Sequence, residues 1–359
     1  MQYTSNLVLQ KKTFGLLITL LLSLCNNMAA QTITIDKTKF FTDEQLIEIT
    51  LVSDFNSLIK GKLKKDFKQK NQPATITCVF PDSNRVTGII DIRARGKYRR
   101  EECMMPPLQL NFKTENAGTL NSLGRMKLVW PCGTGKYDEQ MILKEYLAYK
   151  IYNLLTEKSF RVRLVRIGYH DTKEKIKSHT FYAFFMEDGG DLARRNNCKE
   201  IKSEKFNTEA TDRAQTTLMT LFEYMIGNSD WAISISRNVK LIRLKTDSLS
   251  RPFVIPYDFD YSGLVEALYA VPPEGLPITS VQQRFYLGFP RTMEELQKTL
   301  QIFHNKKNSM DSLIMSLEPL EATHKKQMIN YLDEFFNTTK KEKDIQALFI
   351  DKARNQWGF

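Results

Sequence analysis

Residues 138–155, DEQMILKEYLAYKIYNLL, carry apolar side chains on two helical stripes at once. Leu143, Leu147, Ile151 and Leu154 make one stripe, and Met141, Ala148, Tyr152 and Leu155 make the other. A helix apolar on most of its circumference is buried between layers and not laid on a surface. The fold must therefore supply a layer on each side of it. Glu145 falls on the second stripe, and a carboxylate there needs a cationic or hydrogen-bonding partner because burying it unpaired is costly.

The sequence before this helix predicts strands. LIEITLVSD alternates Ile47, Ile49 and Leu51 with polar residues, the period of a half-buried strand. TITCVF and VTGIIDIRAR flank the turn cluster PDSN and predict a hairpin. LQLNFK and MKLVW predict another, closed by the connector 114–124. Pairing Lys113 with Arg125 brings the start of one strand beside the end of the other. Cys103 and Cys132 then lie just beyond those ends and are expected to form a disulfide, with Cys78 and Cys198 free. The basic run KGKLKKDFKQKNQ reads as a solvated loop or helix end.

From Thr211 the pattern turns helical. Leu218, Leu221, Phe222 and Met225 make one stripe, and Gly227 is placed to end that helix. NVKLIR and PFVIPYDFD predict two strands. Thr292 and Glu295 make a capping box that opens a further helical stretch.

The N-terminus reads as a secretory signal. Lys11 and Lys12 precede FGLLITLLLSLC and the small-residue exit NNMAA, with cleavage expected after Ala30. A lipoprotein reading would use Cys25, where Leu24 stands in place of a small residue. No CxxC occurs and the histidines are scattered, which argues against a zinc site and a histidine-based triad. The 359 residues are 42% hydrophobic and 26% charged, with a net charge of +11. This is globular composition with a basic excess compatible with polyanionic ligands. The mature chain is expected to be exported, with no transmembrane segment and no nucleic-acid partner.

The residues that carry chemistry come in a fixed order. Lys127 lies in a strand and Glu145 on the buried helix. The apolar strand FYAFFME ends at Glu187. Asp230 follows the helix stop in GNSDW, Asn238 follows in SRNVKLI, and PYDFD delivers Asp258 and Asp260. Two acids at i, i+2 on a strand end would point the same way and repel unless a cation lies between them. Hard cations such as Mg²⁺ favour such carboxylates.

These pieces, with IRARGKYRR, PPLQLNFK, MKLVWPC and FYAFFMEDGGDLARRN, resemble the CotH kinase family, exported atypical kinases, and in particular its shorter bacterial branch. The likeness spans roughly Leu46 to Val265. It implies an α+β bilobal protein-kinase-like fold, with a strand-rich N-lobe over 31–187 and a mainly helical C-lobe over 188–359. It implies that Lys127 contacts the phosphates of ATP and pairs with Glu145, and that Glu187 faces the adenine. Arg95 and Lys97 would flank the phosphates in place of a glycine-rich loop. Asp230 would orient the acceptor. Asn238 and Asp258 would bind Mg²⁺ or Mn²⁺, with Asp260 as a second carboxylate. The expected activity is phosphoryl transfer from ATP to a Ser/Thr hydroxyl of an exported protein substrate. Its rivals are a kinase-derived binding protein for a surface protein or glycan, and an AMP transferase. GTGK, at 133–136, lacks Walker spacing and reads as a loop before the helix.

Overall fold

The computed structural model describes residues 35–62, 71–96, 98–202 and 206–354. The signal segment, most of the basic run and Lys97 lie outside them.

Seven strands close into a barrel. They are β1 (Ile47–Ser53), β2 (Gln72–Val79), β3 (Arg85–Ala94), β4 (Leu108–Asn111), β5 (Arg125–Val129), β6 (Val162–Asp171) and β7 (His179–Glu187), in the order β1-β2-β3-β4-β5-β7-β6. β1 pairs antiparallel with β2 on one side and parallel with β6 on the other, Ile49 opposite Cys78 and Ile167 respectively. That second pairing leaves no free edge. A smaller sheet, ordered β10-β9-β8, follows: β8 (Cys198–Ile201), β9 (Val239–Leu244) and β10 (Phe253–Pro256).

The helices are α1 (Lys37–Thr42), α2 (Phe55–Lys62), α3 (Tyr98–Glu102), α4 (Lys136–Leu155), α5 (Gly189–Arg195), α6 (Arg213–Ile226), α7 (Met293–Ser316) and α8 (Ala322–Thr338), with short helical turns after them. No helix among the described residues is long and apolar enough to cross a membrane.

The architecture corrects the bilobal kinase-like fold expected from the resemblance. The chain forms a closed seven-strand barrel and a separate helical region, not a strand-rich N-lobe and a helical C-lobe. Period-two alternation shows which face of a strand is buried, but it does not show which strands are neighbours. The long-range β1–β6 pairing decides closure, and no local pattern reports it.

The expected burial of α4 holds on both stripes. Its side chains share one core with β5, β6, β7, α6, α7 and α8. The barrel interior is a separate core, where Phe55, Trp130, Tyr169 and Phe181 pack ring against ring. β7 divides between the two: Phe181, Ala183 and Phe185 face the barrel interior, Phe184 and Met186 face α4. A strand buried on both faces reads as a continuous apolar run, which explains FYAFFM. On β5, Met126 and Leu128 belong to the barrel core and Val129 to the α4 core. Lys127 shares the outward face with Val129, two residues on.

Cys103 and Cys132 are joined, and Cys78 and Cys198 are buried free thiols. The β4–β5 register differs from expectation: Asn111, not Lys113, lies opposite Arg125. A 3₁₀ segment, Glu115–Leu123, fills the connector. Gly227 caps α6 in the left-handed conformation (φ 68°), and Thr292 with Glu295 forms the capping box of α7.

Candidate functional site

Two loops bring the acids together. After Gly227 the Asn228 side chain accepts the Asp230 backbone N–H at 3.0 Å. A tight hairpin then reverses the chain, with Ala232 and Arg237 exchanging backbone hydrogen bonds at 3.0 and 2.9 Å. Asn238 returns beside Asp230 and donates to its carbonyl at 2.7 Å and its carboxylate at 2.9 Å. The eight-residue spacing is thus the length of a hairpin. Arg237 approaches the same carboxylate at 3.3 Å. Burial and the nearby Asp258 push the Asp230 pKa up, against Arg237 and Asn238.

The second loop starts where β10 ends, at Pro256. Asp258 lies past the strand in the left-handed conformation (φ 69°), and its N–H donates to the Tyr149 hydroxyl of α4 at 2.8 Å. The strand-alternation argument for Asp258 and Asp260 therefore fails; a turn places them. Phe259 between them is buried, its ring 4.6 Å from that of Tyr149 and 5.4 Å from that of Phe222. A non-glycine residue in this conformation costs about 1–2 kcal/mol, so the packing around Phe259 and the Tyr149 bond must hold the turn.

Backbone bonds tie the loops to each other. Tyr257 N–H reaches Asn238 C=O at 2.9 Å, Gly263 N–H reaches Gly227 C=O at 3.2 Å, and Leu264 N–H reaches Ile226 C=O at 3.0 Å. A Cβ on Gly227 would stand 2.0 Å from the Tyr331 hydroxyl oxygen, and one on Gly263 2.4 Å from it. Two glycines are needed for the loops to meet under α8.

The result is a cleft of about 510 Å³, lined among others by Arg95, Arg99, Asp230, Asn238, Asp258 and Asp260. Behind it lies a buried charge network. Tyr269 donates to Asp260 at 2.8 Å. Arg99 reaches Glu145 at 3.6 Å and donates to the Trp130 carbonyl at 2.7 Å. Burial, then Asp258, push the Asp260 pKa up to about 6, against Arg99 and Tyr269. Burial and Asp260 raise Glu145 well above the usual carboxylate range, against Arg99. Burial opposes the Arg99 charge, but Tyr269 and the surrounding carboxylates raise its pKa on balance. One Glu145 oxygen is buried with no hydrogen-bond partner among the described residues.

The barrel contributes cations. Arg95, at the end of β3, has no carboxylate within ion-pair distance among the described residues, and neither has Lys127. The Lys127 ammonium lies 4.7 Å from the Tyr257 ring and 5.6 Å from the Phe160 ring. Burial of the amine, then the neighbouring Arg95, bring its pKa down to about 7.

Two expected contacts are corrected. Lys127 does not pair with Glu145; Arg99 takes that place. Glu187 is not open towards a base: its carboxylate accepts the Arg161 N–H at 2.7 Å and pairs with Arg195 at 2.7 Å. Sequence reasoning missed Arg99, Arg237 and Tyr269. Arg99 sat inside the IRARGKYRR match and Arg237 directly before Asn238, but nothing local marks either as a charge partner.

The residues fit a small hard cation. Asp258 accepts no side-chain hydrogen bond among the described residues, and Asp260 uses one oxygen for Tyr269. Asn238 donates through its amide nitrogen, which leaves its amide oxygen as a donor to a metal. No group of three His, Cys, Asp or Glu side chains among the described residues is placed to hold a metal. Mg²⁺ commonly takes only one or two carboxylates and completes its shell with water and substrate phosphates.

No protein-family model matches the chain, and no curated protein matches it.

Proposed function

We propose that this protein is a divalent-cation-dependent phosphotransferase that moves the terminal phosphate of ATP to a hydroxyl of an exported protein. The observation that carries the reading is the cleft's polarity. On the barrel side Arg95 lines the cleft and Lys127 stands behind it against the Tyr257 ring, neither with a carboxylate partner among the described residues; on the loop side stand Asp230, already paired with Arg237, and Asp258 and Asp260. Phosphoryl transfer asks for this division, because it depends on positioning and charge neutralisation more than on covalent chemistry. The ordered motifs that resemble exported atypical kinases support the same reading, and the Cys103–Cys132 bond supports an oxidising compartment.

Arg95 and Lys127 would hold the phosphates. Asp258, Asp260 and the Asn238 amide oxygen would hold the cation, which neutralises phosphate charge when bound. Asp230, fixed by Asn238, would accept the proton of the incoming hydroxyl. The hydroxyl oxygen bonds to the terminal phosphorus, the bridging P–O bond breaks, and ADP leaves.

Incubation with ATP and Mg²⁺, read by intact mass, tests the reading. A phosphate adduct on an added exported protein or on the chain supports it. An adenylate adduct favours AMP transfer, and no adduct favours a binding protein. Asp258→Ala should abolish Mg²⁺-dependent ATP binding, while Asp230→Asn should spare binding and abolish transfer.

A further inference from the structure

We infer that the cleft recognises the phosphate chain of its ligand and not the base, so that inorganic tripolyphosphate and any nucleoside triphosphate are equivalent ligands. The inference rests on the phosphotransferase reading and deepens it.

Base recognition needs an unoccupied polar edge and an open aromatic or apolar face. The polar group expected to supply the edge, Glu187, is consumed. Its carboxylate is held by Arg195 and by the Arg161 N–H, and the cavity it lines is bordered by Lys37, Phe41, Arg161 and Asp191, none of which lines the cleft. The rings near Lys127, Phe160 and Tyr257, already carry its ammonium. Six of the remaining cleft residues are ionic, Arg95, Arg99, Asp230, Arg237, Asp258 and Asp260, against one further aromatic ring, Tyr261. Such a surface offers charge to phosphates and cation and little to a neutral heterocycle. Arg95 acts to lower the Lys127 pKa, so a polyanion held by both would offset a repulsion that a base would leave in place. Transfer from tripolyphosphate breaks the same kind of P–O–P bond and leaves pyrophosphate where ATP leaves ADP.

Calorimetric titration of the full chain with ATP, GTP, UTP and tripolyphosphate, each with Mg²⁺, tests this. The expected dissociation constants agree within about threefold, well under 1 kcal/mol. Arg95→Gln and Lys127→Gln, separately, should weaken all four to a similar degree, by about tenfold or more, the loss of a charge-assisted contact. A site built to hydrogen-bond a base discriminates by up to about 10⁴. ATP binding ten times or more tighter than GTP and tripolyphosphate therefore overturns the inference and leaves the phosphotransferase reading standing. If none of the four binds, both fall.

Discussion

Asn238 donates to both the carbonyl and the carboxylate of Asp230, so two residues eight positions apart act as one rigid unit. Asn238 itself sits in the left-handed region (φ 51°), where Asn is tolerated and Ala is strained. Asn238→Ala should lose both hydrogen bonds, at about 0.5–1.5 kcal/mol each, and gain backbone strain. Asn238→Gly should lose the bonds without that strain. Urea denaturation of both variants checks this, with Gly expected to be the more stable. Equal stability would mean that the backbone conformation imposes no cost.

The Arg99–Glu145 pair predicts a strong asymmetry. Arg99→Ala leaves Glu145 buried without its cation, a loss of roughly 3–5 kcal/mol. Glu145→Gln keeps the shape and removes a charge that burial already disfavours, so it should cost much less. The double variant should be less destabilised than the sum of the two, by about 0.5–3 kcal/mol of coupling. Additive effects would mean the two side chains do not interact in solution.

Lys127 has the opposite signature. Its amine is buried without a carboxylate partner among the described residues, so Lys127→Met should raise stability, by about 0.5–2 kcal/mol, while weakening anion binding. A stability loss comparable to that of Arg99→Ala would instead place Lys127 in a hidden ion pair.

The same lysine sets a pH dependence. Burial of the amine, then Arg95 and Lys240, push its pKa down to about 7, below the ordinary lysine value, against Asp258 and Asp188. In the free protein the amine loses its proton as pH rises through about 7, and a bound polyanion favours the protonated form. Affinity for tripolyphosphate should therefore fall as pH rises from 7 to 9, with proton uptake on binding. For folding the sign is the reverse of a stabilising pair. The depressed pKa costs stability while the unfolded chain is protonated and this one does not, so this contribution should improve between pH 7 and the unfolded value near 10.5. Lys127→Arg should flatten the binding profile. A wild-type profile without slope across this range would refute the assignment.

Gly263 tests how the loops meet. A methyl there would fall 2.4 Å from the Tyr331 hydroxyl and 2.5 Å from the Val281 carbonyl. Gly263→Ala should destabilise by about 1–3 kcal/mol through overpacking. Adding Tyr331→Phe should recover part of that loss in thermal unfolding.

Much of this protein was legible before its fold. Alternation at Ile47, Ile49 and Leu51, the two stripes of α4, Gly227 as a helix stop and the Thr292–Glu295 box all report local geometry, and local geometry is what a short sequence pattern encodes. The order Asp230, Asn238, Asp258, Asp260 named residues that the fold gathers in one cleft. Tertiary structure decided the rest. Barrel closure depends on β1 finding β6, a pairing between segments with no shared pattern. Glu145 needed a cation, but the sequence contained several, and only the placement of α3 beside Trp130 selected Arg99 over Lys127. The acids of PYDFD share the cleft through a left-handed turn and not by strand alternation, because the packing of Phe259 and the Tyr149 hydroxyl bends the chain there. Burial is written in the periodicity of a chain, while the choice among distant partners is made by packing.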